Sequence, residues 1–291
     1  MEKTAWRTSL LLSSMASWSK EKKYKMKQLI NISLVLILGF VFTAPSADVF
    51  AEEGQSSKKE KKKVFRKYKP EEGSDVEKDK KLDDKWEITD DPSLPRVLIL
   101  GDSISISYTL PVRKLLKGKA NVHRALNEKG IKENCEGTTH GLTRIDFWLG
   151  EKKWNLIHFN WGLHDLKYVN EKGQKVDPSK GKQQAKPEQY KKNMVVLVGR
   201  LKKTEAELVF ATTIPYVEGC AGRKVGDELV YNKIAREIMK KHEVTINDTW
   251  AVIHPKLEEY ARERNVHLKK EGTEALSKHI AKVIEKELVS K

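Results

Sequence analysis

A serine follows directly on an apolar segment in the first half of the chain. The run Val97-Leu98-Ile99-Leu100 is continuous and apolar, which is typical of a strand buried on both faces of a parallel sheet. Gly-Asp-Ser follows it and ends at Ser103. These residue types also form ordinary turns. The tripeptide alone therefore fits either a nucleophilic serine or a simple turn at the end of a strand.

Three further stretches carry residues that could assist a nucleophilic serine. ENCEGTTHGL at 133–142 is rich in Gly and hydroxyls, and backbone N–H groups in such a turn can hold an oxyanion. IHFNWGLHDLK at 157–167 is an apolar run that ends in Gly-Leu-His-Asp, and RNVHLKKEGTEAL at 264–276 places His267 before a final helical pattern. A seryl nucleophile needs a base within hydrogen-bond reach, normally an imidazole. His267 is the candidate base.

These stretches lie at the ends of predicted strands. Short apolar segments alternate with helical patterns from Leu94 onward, which predicts an α/β fold with a parallel sheet covered by helices on both faces. The predicted strands are Arg96 to Gly101, Asn121 to Ala125, Leu156 to Asn160, Glu207 to Thr213 and Val244 to Asn247. The predicted helices are Thr109 to Leu116, Leu142 to Leu149, Pro187 to Lys203, Glu228 to Lys241 and Thr273 to Leu288. Ligands bind beyond the carboxyl ends of such strands, and Ser103 lies just past one of them.

The chain divides into three parts by composition. Residues 1–51 combine an N-terminal extension with an export signal: Met26 is the expected true start, an apolar core follows, and cleavage is expected after Ala51. Residues 52–93 are charged and poor in apolar residues, which predicts a disordered linker. Residues 94–291 form one predicted domain. We therefore expect an exported protein, or one held by an uncleaved anchor.

Positive charge is the second compositional signal. The whole chain has a formal net charge of +15, and residues 94–291 hold 37 basic against 25 acidic residues. Such a balance favours an anionic partner. The block Lys58–Lys69 could contact anionic surface polymers, or could simply be a solvated tether. No nucleic-acid partner is expected, because the chain carries no recognised aromatic and basic nucleic-acid module.

The two cysteines, Cys135 and Cys220, are too few for a disulfide scaffold. Export would permit one bridge between them, and two separate thiols are the alternative. The long Gly- and Lys-containing loop from Tyr168 to Lys186 fits either a lid or a disordered loop. The remaining histidines show no shared metal-ligand spacing.

Together these stretches resemble the SGNH/GDSL hydrolases, a family of esterases and lipases named for motif residues. Gly101-Asp102-Ser103 resembles the first motif, Gly137 or a near neighbour the second, Gly162 to Asp165 the third and His267 the last. The resemblance spans roughly residues 95 to 288. It implies a flavodoxin-like three-layer α/β/α sandwich with a five-stranded parallel sheet.

The resemblance also implies a role for each motif. Ser103 attacks an ester carbonyl and His267 takes its proton. The Ser103 N–H, the Gly137 N–H and a side chain at position 164 hold the oxyanion. Asp102, Gly162 and Asp165 are supporting residues at the motif positions.

Two positions depart from the family pattern. His164 stands where the third motif normally has Asn, and an imidazole N–H can donate to an oxyanion as an amide does. Arg264 stands where the last motif normally has Asp, three residues before His267. Glu263, a backbone carbonyl or a water would then orient the imidazole, leaving a Ser-His dyad or an altered triad and slow turnover.

The leading functional prediction is an exported serine esterase that hydrolyses an acyl ester, for example an O-acetyl group on a carbohydrate. A second interpretation is a catalytically weak or inactive protein of the same fold that binds acidic polymers at the cell surface. A third is an acyltransferase in which a sugar hydroxyl replaces water. Chemistry of a serine hydroxyl with a histidine base implies no metal and no cofactor.

Overall fold

The computed structural model describes Trp86 and residues 88–290. The predicted export signal and the Lys58–Lys69 block lie outside the described residues. Within the described part, no helix is both long and apolar enough to cross a membrane.

A five-stranded parallel sheet forms the centre of this unit, in the order β2-β1-β3-β6-β7. This is the flavodoxin-like arrangement of a doubly wound sheet. Its inner strands are buried and mainly apolar, apart from the buried His158, because helices cover both of their faces. The strands are β1 Arg96–Leu100, β2 Asn121–Arg124, β3 Leu156–Phe159, β6 Glu207–Ala211 and β7 Thr245–Asn247, with a separate antiparallel pair, β4 Tyr168–Val169 and β5 Lys182–Gln183.

Helices pack around this sheet in two groups. The first and last helices pack against each other, while the second, third and fourth lie side by side. The helices are α1 Ser103–Leu115, α2 Thr138–Leu149, α3 Pro187–Lys202, α4 Asp227–Lys241, α5 Thr249–Ile253, α6 Leu257–Tyr260 and α7 Lys270–Val289. The predicted α/β class and five-stranded parallel sheet are confirmed.

The helix starts differ most from the sequence prediction. The first helix begins at Ser103 rather than Thr109, because the Asp102 carboxylate caps it by accepting from the Ile104 N–H at 2.9 Å. The Ser-Ile repeat that follows has no helical apolar pattern of its own. The helix α2 likewise begins at Thr138 rather than Leu142.

The described residues upstream of Leu94 pack against the sheet unit. The Trp86 side chain is buried. Asp90 contacts Arg96 and His123 at 2.5 and 2.7 Å, and Asn121 bonds the Asp91 backbone. Residues 88–93 thus belong with the folded unit rather than with a linker that ends at residue 93.

The segment from Tyr168 to Lys186 forms a ribbon instead of an irregular loop. The strands β4 and β5 pair in it, and a short 3-10 turn at Pro178–Lys180 precedes β5. The Tyr168 N–H donates to the Gly222 carbonyl at 2.9 Å, which ties the ribbon to the loop after β6. The two cysteines are both buried and are not bonded to each other.

Candidate active site

The Gly101-Asp102-Ser103 turn joins the carboxyl end of β1 to the first turn of α1. Ser103 is the first residue of the helix and is half-buried, whereas Gly101 and Asp102 are buried. Burial raises the pKa of the Asp102 carboxyl, although the Ile104 N–H and the Arg124 and Arg223 cations oppose this. Asp102 therefore acts on the turn as a helix cap, and the serine hydroxyl faces the edge of the sheet.

A buried guanidinium at the end of β2 fixes this turn. Arg124 is 4 % exposed. Its Nη2 donates to the carbonyl oxygens of Gly101 and Glu133, each at 2.8 Å, and its Nη1 donates to the Ser105 hydroxyl at 2.7 Å. Its Nε is buried with no hydrogen-bond partner among the described residues, so the contacts of the two Nη atoms offset most of the cost of burying the charge. Arg124 therefore ties the serine turn to the 133–142 loop.

His267 lies against Ser103 across 164 residues of sequence. The Ser103 Oγ is 2.8 Å from the His267 Nε2. The opposite ring nitrogen, Nδ1, is 2.7 Å from the Asn265 Oδ1. The structure thus brings together the serine and histidine that the motifs singled out, and adds an asparagine behind the ring.

The hydrogen bonds of Asn265 select the imidazole tautomer. The Asn265 Oδ1 also accepts from the His267 backbone N–H at 3.0 Å. Because that N–H can only donate, the side-chain atom facing it must be the oxygen. The same oxygen then accepts a proton from Nδ1, so Nε2 carries a lone pair toward the Ser103 hydroxyl. This is the tautomer that a general base requires.

Asn265, rather than Glu263, orients the imidazole. The sequence suggested Glu263, a backbone carbonyl or a water for this role. Glu263 is exposed, and Nδ1 is already engaged by the asparagine two residues before the histidine. Arg264 has a positive φ of 50° and lays its side chain over Gly219, which leaves the asparagine facing the ring.

The electrostatic surroundings keep the His267 base neutral. Burial lowers the pKa of the imidazole, and the nearby cations Arg262 and Lys175 lower it further. A cation beside a ring disfavours its protonated form. The ring is therefore unprotonated at neutral pH, as proton abstraction requires. It becomes protonated only at a pH below the ordinary pKa of a histidine.

Backbone donors for an oxyanion come from two helix starts. Ser103 opens α1, and Gly137 caps α2. Neither the Ser103 N–H nor the Gly137 N–H has a hydrogen-bond partner among the described residues. Unpaired N–H groups at helix starts carry partial positive charge and suit an anion.

The Asp165 carboxylate sets the start of α2. It accepts from the Thr138 N–H at 2.9 Å and from the Thr138 hydroxyl at 2.5 Å, and Asn193 donates to that hydroxyl at 2.9 Å. A Cβ on Gly137 would lie 3.2 Å from the Asp165 carboxylate, so a glycine allows this close approach. Burial raises the pKa of Asp165 to about 7 against the Thr138 hydrogen bonds.

His164 is a neutral imidazole near this edge. Burial, with Lys167, Arg223 and Lys175 nearby, lowers its pKa to about 3. Its Nδ1 is buried without a hydrogen-bond partner among the described residues. A neutral imidazole can polarise a carbonyl by donating its one N–H. The role of His164 as an oxyanion donor stays a prediction.

Position 162 requires a glycine because of its backbone conformation and the closeness of its neighbours. Its φ is 153°, and a Cβ there would overlap the Thr213 hydroxyl. The adjacent Trp161 is 1 % exposed and donates its indole N–H to the Cys135 carbonyl at 3.2 Å. Trp161 is therefore a core residue.

Searches against known proteins support the fold. No family model matches the sequence, and no curated protein matches it. An acetyl xylan esterase, AlAXEase, is similar in structure, with a TM-score of 0.51 and 16% sequence identity. The match covers 65% of this chain and 99% of that chain. A lipase/acylhydrolase from Enterococcus faecalis is also similar, with a TM-score of 0.53 and 15% sequence identity. The match covers 66% of this chain and 96% of that chain.

A catalytic mutant of Axe2, an acetylxylan esterase from Geobacillus stearothermophilus, has TM-score 0.50 and 14% identity over 65% of this chain and 94% of that chain. The described residues therefore have the fold of the SGNH/GDSL hydrolases, as the motif stretches implied.

Two residues of this site were missed in the sequence. Arg124 stands at the end of a short strand, and only its charge among apolar neighbours hinted that a buried partner must exist. Asn265 stands two residues before His267, and its amide oxygen could have been weighed beside Glu263. Neither residue has a local pattern that distinguishes it from a surface residue.

We predict that Arg124→Met lowers the free energy of unfolding by about 3–5 kcal/mol, since the carbonyls of Gly101 and Glu133 would lose a buried donor. Urea denaturation measures this. Arg236→Met is the matched control, because Arg236 pairs with Asp248 at a half-exposed site, and it should cost about 1 kcal/mol or less. Equal effects of the two substitutions would contradict the bridging role of Arg124.

Asn265→Asp should raise the pKa of His267 by about 1–3 units, because a carboxylate beside Nδ1 favours the imidazolium. An NMR titration of the ring protons measures this shift. Asn265→Ala is the control and should not raise the pKa in this way. An unchanged pKa in Asn265→Asp would show that residue 265 does not contact the ring.

Proposed function

We propose that this protein is a serine esterase that removes a short acyl group, such as acetyl, from a carbohydrate outside the cytoplasm. The contact between the Ser103 hydroxyl and His267 Nε2, with Asn265 behind the ring, carries the proposal. Two of the three similar structures named above are acetyl xylan esterases, which supports an acylated carbohydrate as substrate. The apolar segment after Met26 supports export.

The reaction would proceed in two acyl transfers. The Ser103 Oγ attacks the ester carbonyl carbon while His267 Nε2 takes the hydroxyl proton. The N–H groups of Ser103 and Gly137, with His164, stabilise the resulting oxyanion. The C–O bond to the sugar then breaks, and the sugar oxygen leaves with the proton from Nε2. A water repeats the sequence on the acyl-enzyme and releases the free acid.

A neutral orienting group makes this base weaker than that of an Asp-containing triad. The Asn265 amide holds the tautomer but supplies no negative charge to stabilise the imidazolium. We therefore expect slow turnover on simple esters.

A small cavity beside the serine supports a short acyl group. It has a volume of about 20 Å³, and apolar side chains, among them Tyr108, Leu163 and Leu276, line it together with polar ones. Both neighbours of Ser103, Asp102 and Ile104, contribute to its lining. A space of this size holds about one water, or one methyl group, so it suits acetyl better than longer chains.

Ser103→Ala should abolish hydrolysis of 4-nitrophenyl acetate, because it removes the attacking oxygen. A fluorophosphonate probe should label the unmodified protein and leave Ser103→Ala unlabelled. Release of 4-nitrophenolate and mass spectrometry of the labelled protein measure these two outcomes. Undiminished hydrolysis by the alanine variant would defeat the esterase assignment.

The acyl cavity predicts a preference for acetyl esters. The kcat/KM for 4-nitrophenyl butyrate should be about tenfold or more below that for the acetate, since a methylene that does not fit costs about 1–3 kcal/mol. Leu276→Ala enlarges the cavity and should narrow the difference. Equal rates on both esters in the unmodified protein would show that the cavity does not receive the acyl chain.

A further inference from the structure

A basic groove adjoins the candidate active site. The ribbon from Lys175 to Ser179 forms one wall, and the loop from Glu218 to Val225 forms the other, with Arg264 at one end. The groove is open, with a volume of about 810 Å³, which is within the range of small-ligand sites. We call it the basic groove, and its cations are Lys175, Arg223, Lys224 and Arg264.

Arg223 is the strongest sign that the groove binds a ligand. The residue is half-buried, and its Nε is buried with no hydrogen-bond partner among the described residues. Its Nη1 makes only a 3.3 Å bond to the adjacent Gly222 carbonyl. No carboxylate of the described residues forms an ion pair with it, and Asp102, which lies within electrostatic range, is buried with a raised pKa. A desolvated guanidinium with so few hydrogen bonds is costly unless a ligand supplies further acceptors.

Further cations lie close to Arg223 and are likewise unpaired. Lys167 is half-buried and makes no ion pair or side-chain hydrogen bond within the described residues. Burial, Arg223 and Lys175 lower the pKa of Lys167, and Glu136 and Asp165 act in the opposite direction. Lys175 is exposed at the rim. Like charges held this close repel one another, and an anion between them would relieve the repulsion.

The acidic residues of the groove do not neutralise these cations. The Asp177 carboxylate is used within its own turn, where it accepts from the Ser179 N–H at 2.9 Å and the Ser179 hydroxyl at 2.5 Å. Glu218 is exposed and makes no ion pair within the described part of the chain. The groove therefore retains an excess of positive charge.

The basic groove also reaches the residues of the proposed mechanism. Lys175 lowers the pKa of both His164 and His267. Arg223 opposes the rise in the pKa of Asp102 and contributes to the low pKa of His164. Arg264 belongs to the same loop as the catalytic base and packs its side chain over Gly219. Ser103 and His267 do not line the groove themselves, but Arg264 connects it to the loop that carries His267.

We propose that the basic groove binds an anionic group of the substrate, so that the ester attacked by Ser103 is carried by an acidic carbohydrate. This inference rests on the proposed esterase function, which supplies the ester. The negative charge of the substrate is inferred from the cations of the groove alone. The carboxylate of a uronic acid and a sugar sulfate share the required chemistry. Arg223 would contact the anion by paired N–H donors, and Lys167 and Lys175 would add charge at the rim.

Calorimetry on the full chain carrying Ser103→Ala tests binding without turnover. The probes are an oligogalacturonate, a sulfated carrageenan oligosaccharide and a neutral xylo-oligosaccharide of similar length. We expect an acidic probe to bind at least tenfold more tightly than the neutral one, with an affinity that falls as NaCl rises. The tighter acidic probe identifies the carboxylate or the sulfate as the recognised group. Equal affinity for all three probes would overturn the proposal.

Charge-removal variants in the same background locate the binding. Lys175→Gln should weaken acidic binding about threefold or more, and Arg223→Gln about tenfold. Lys172→Gln is the matched control, because it removes the same charge from the tip of the same ribbon, outside the groove. Lys175→Gln tests the groove even if Arg223→Gln fails to fold, because Lys175 is exposed. Equal effects of Lys172→Gln and Lys175→Gln would overturn the assignment.

Turnover separates this inference from the proposed function. Ser103-dependent hydrolysis of 4-nitrophenyl acetate without preferential acidic binding would remove the groove proposal and leave the esterase intact. Acidic binding that depends on Lys175, in a protein without Ser103-dependent hydrolysis, would leave the groove and remove the esterase.

Discussion

The buried Arg124 guanidinium is the interaction on which the geometry of the site depends. A cation with 4 % exposure is stable only because oxygen atoms surround it. Those oxygens belong to the serine turn and to the 133–142 loop, which carries the candidate oxyanion donor Gly137. Carbonyl groups from two separate loops thus stabilise the same buried charge. Because both loops bond one guanidinium, the position of one loop relative to the other is fixed. The nucleophile and the Gly137 N–H are held in one frame.

The same edge of the sheet brings the remaining groups to this frame. The carboxyl ends of β1 and β3 are neighbours, so the Gly-Asp-Ser turn and the Gly-Leu-His-Asp turn lie side by side. The loop before α7 adds the base from near the end of the chain. Asn265 then substitutes a neutral amide for the usual carboxylate. That exchange preserves the ring orientation and gives up the negative charge that would stabilise an imidazolium.

Cations lie near the candidate base His267 and near the proposed oxyanion site. Lys175 and Arg262 disfavour the imidazolium of His267, which keeps the base ready at neutral pH but weakens it as a proton acceptor. The same positive field favours developing negative charge on the substrate. In the proposed function, the same cations would attract an anionic carbohydrate. The positive charge that weakens His267 as a base would therefore strengthen binding of the substrate.

The sequence by itself determined the fold class, the five strands and the candidate serine and histidine, because apolar periodicity and motif order are local properties that the chain shows directly. It missed the early start of α1, the ribbon after β3 and the role of Asn265. Only the tertiary structure decided these, along with the burial of Arg124 and the unpaired state of Arg223. The burial of Arg124 depends on atoms that meet across 9 to 23 residues of sequence. The start of α1 and the role of Asn265 depend on side-chain hydrogen bonds over two residues, which the apolar pattern of the chain does not show.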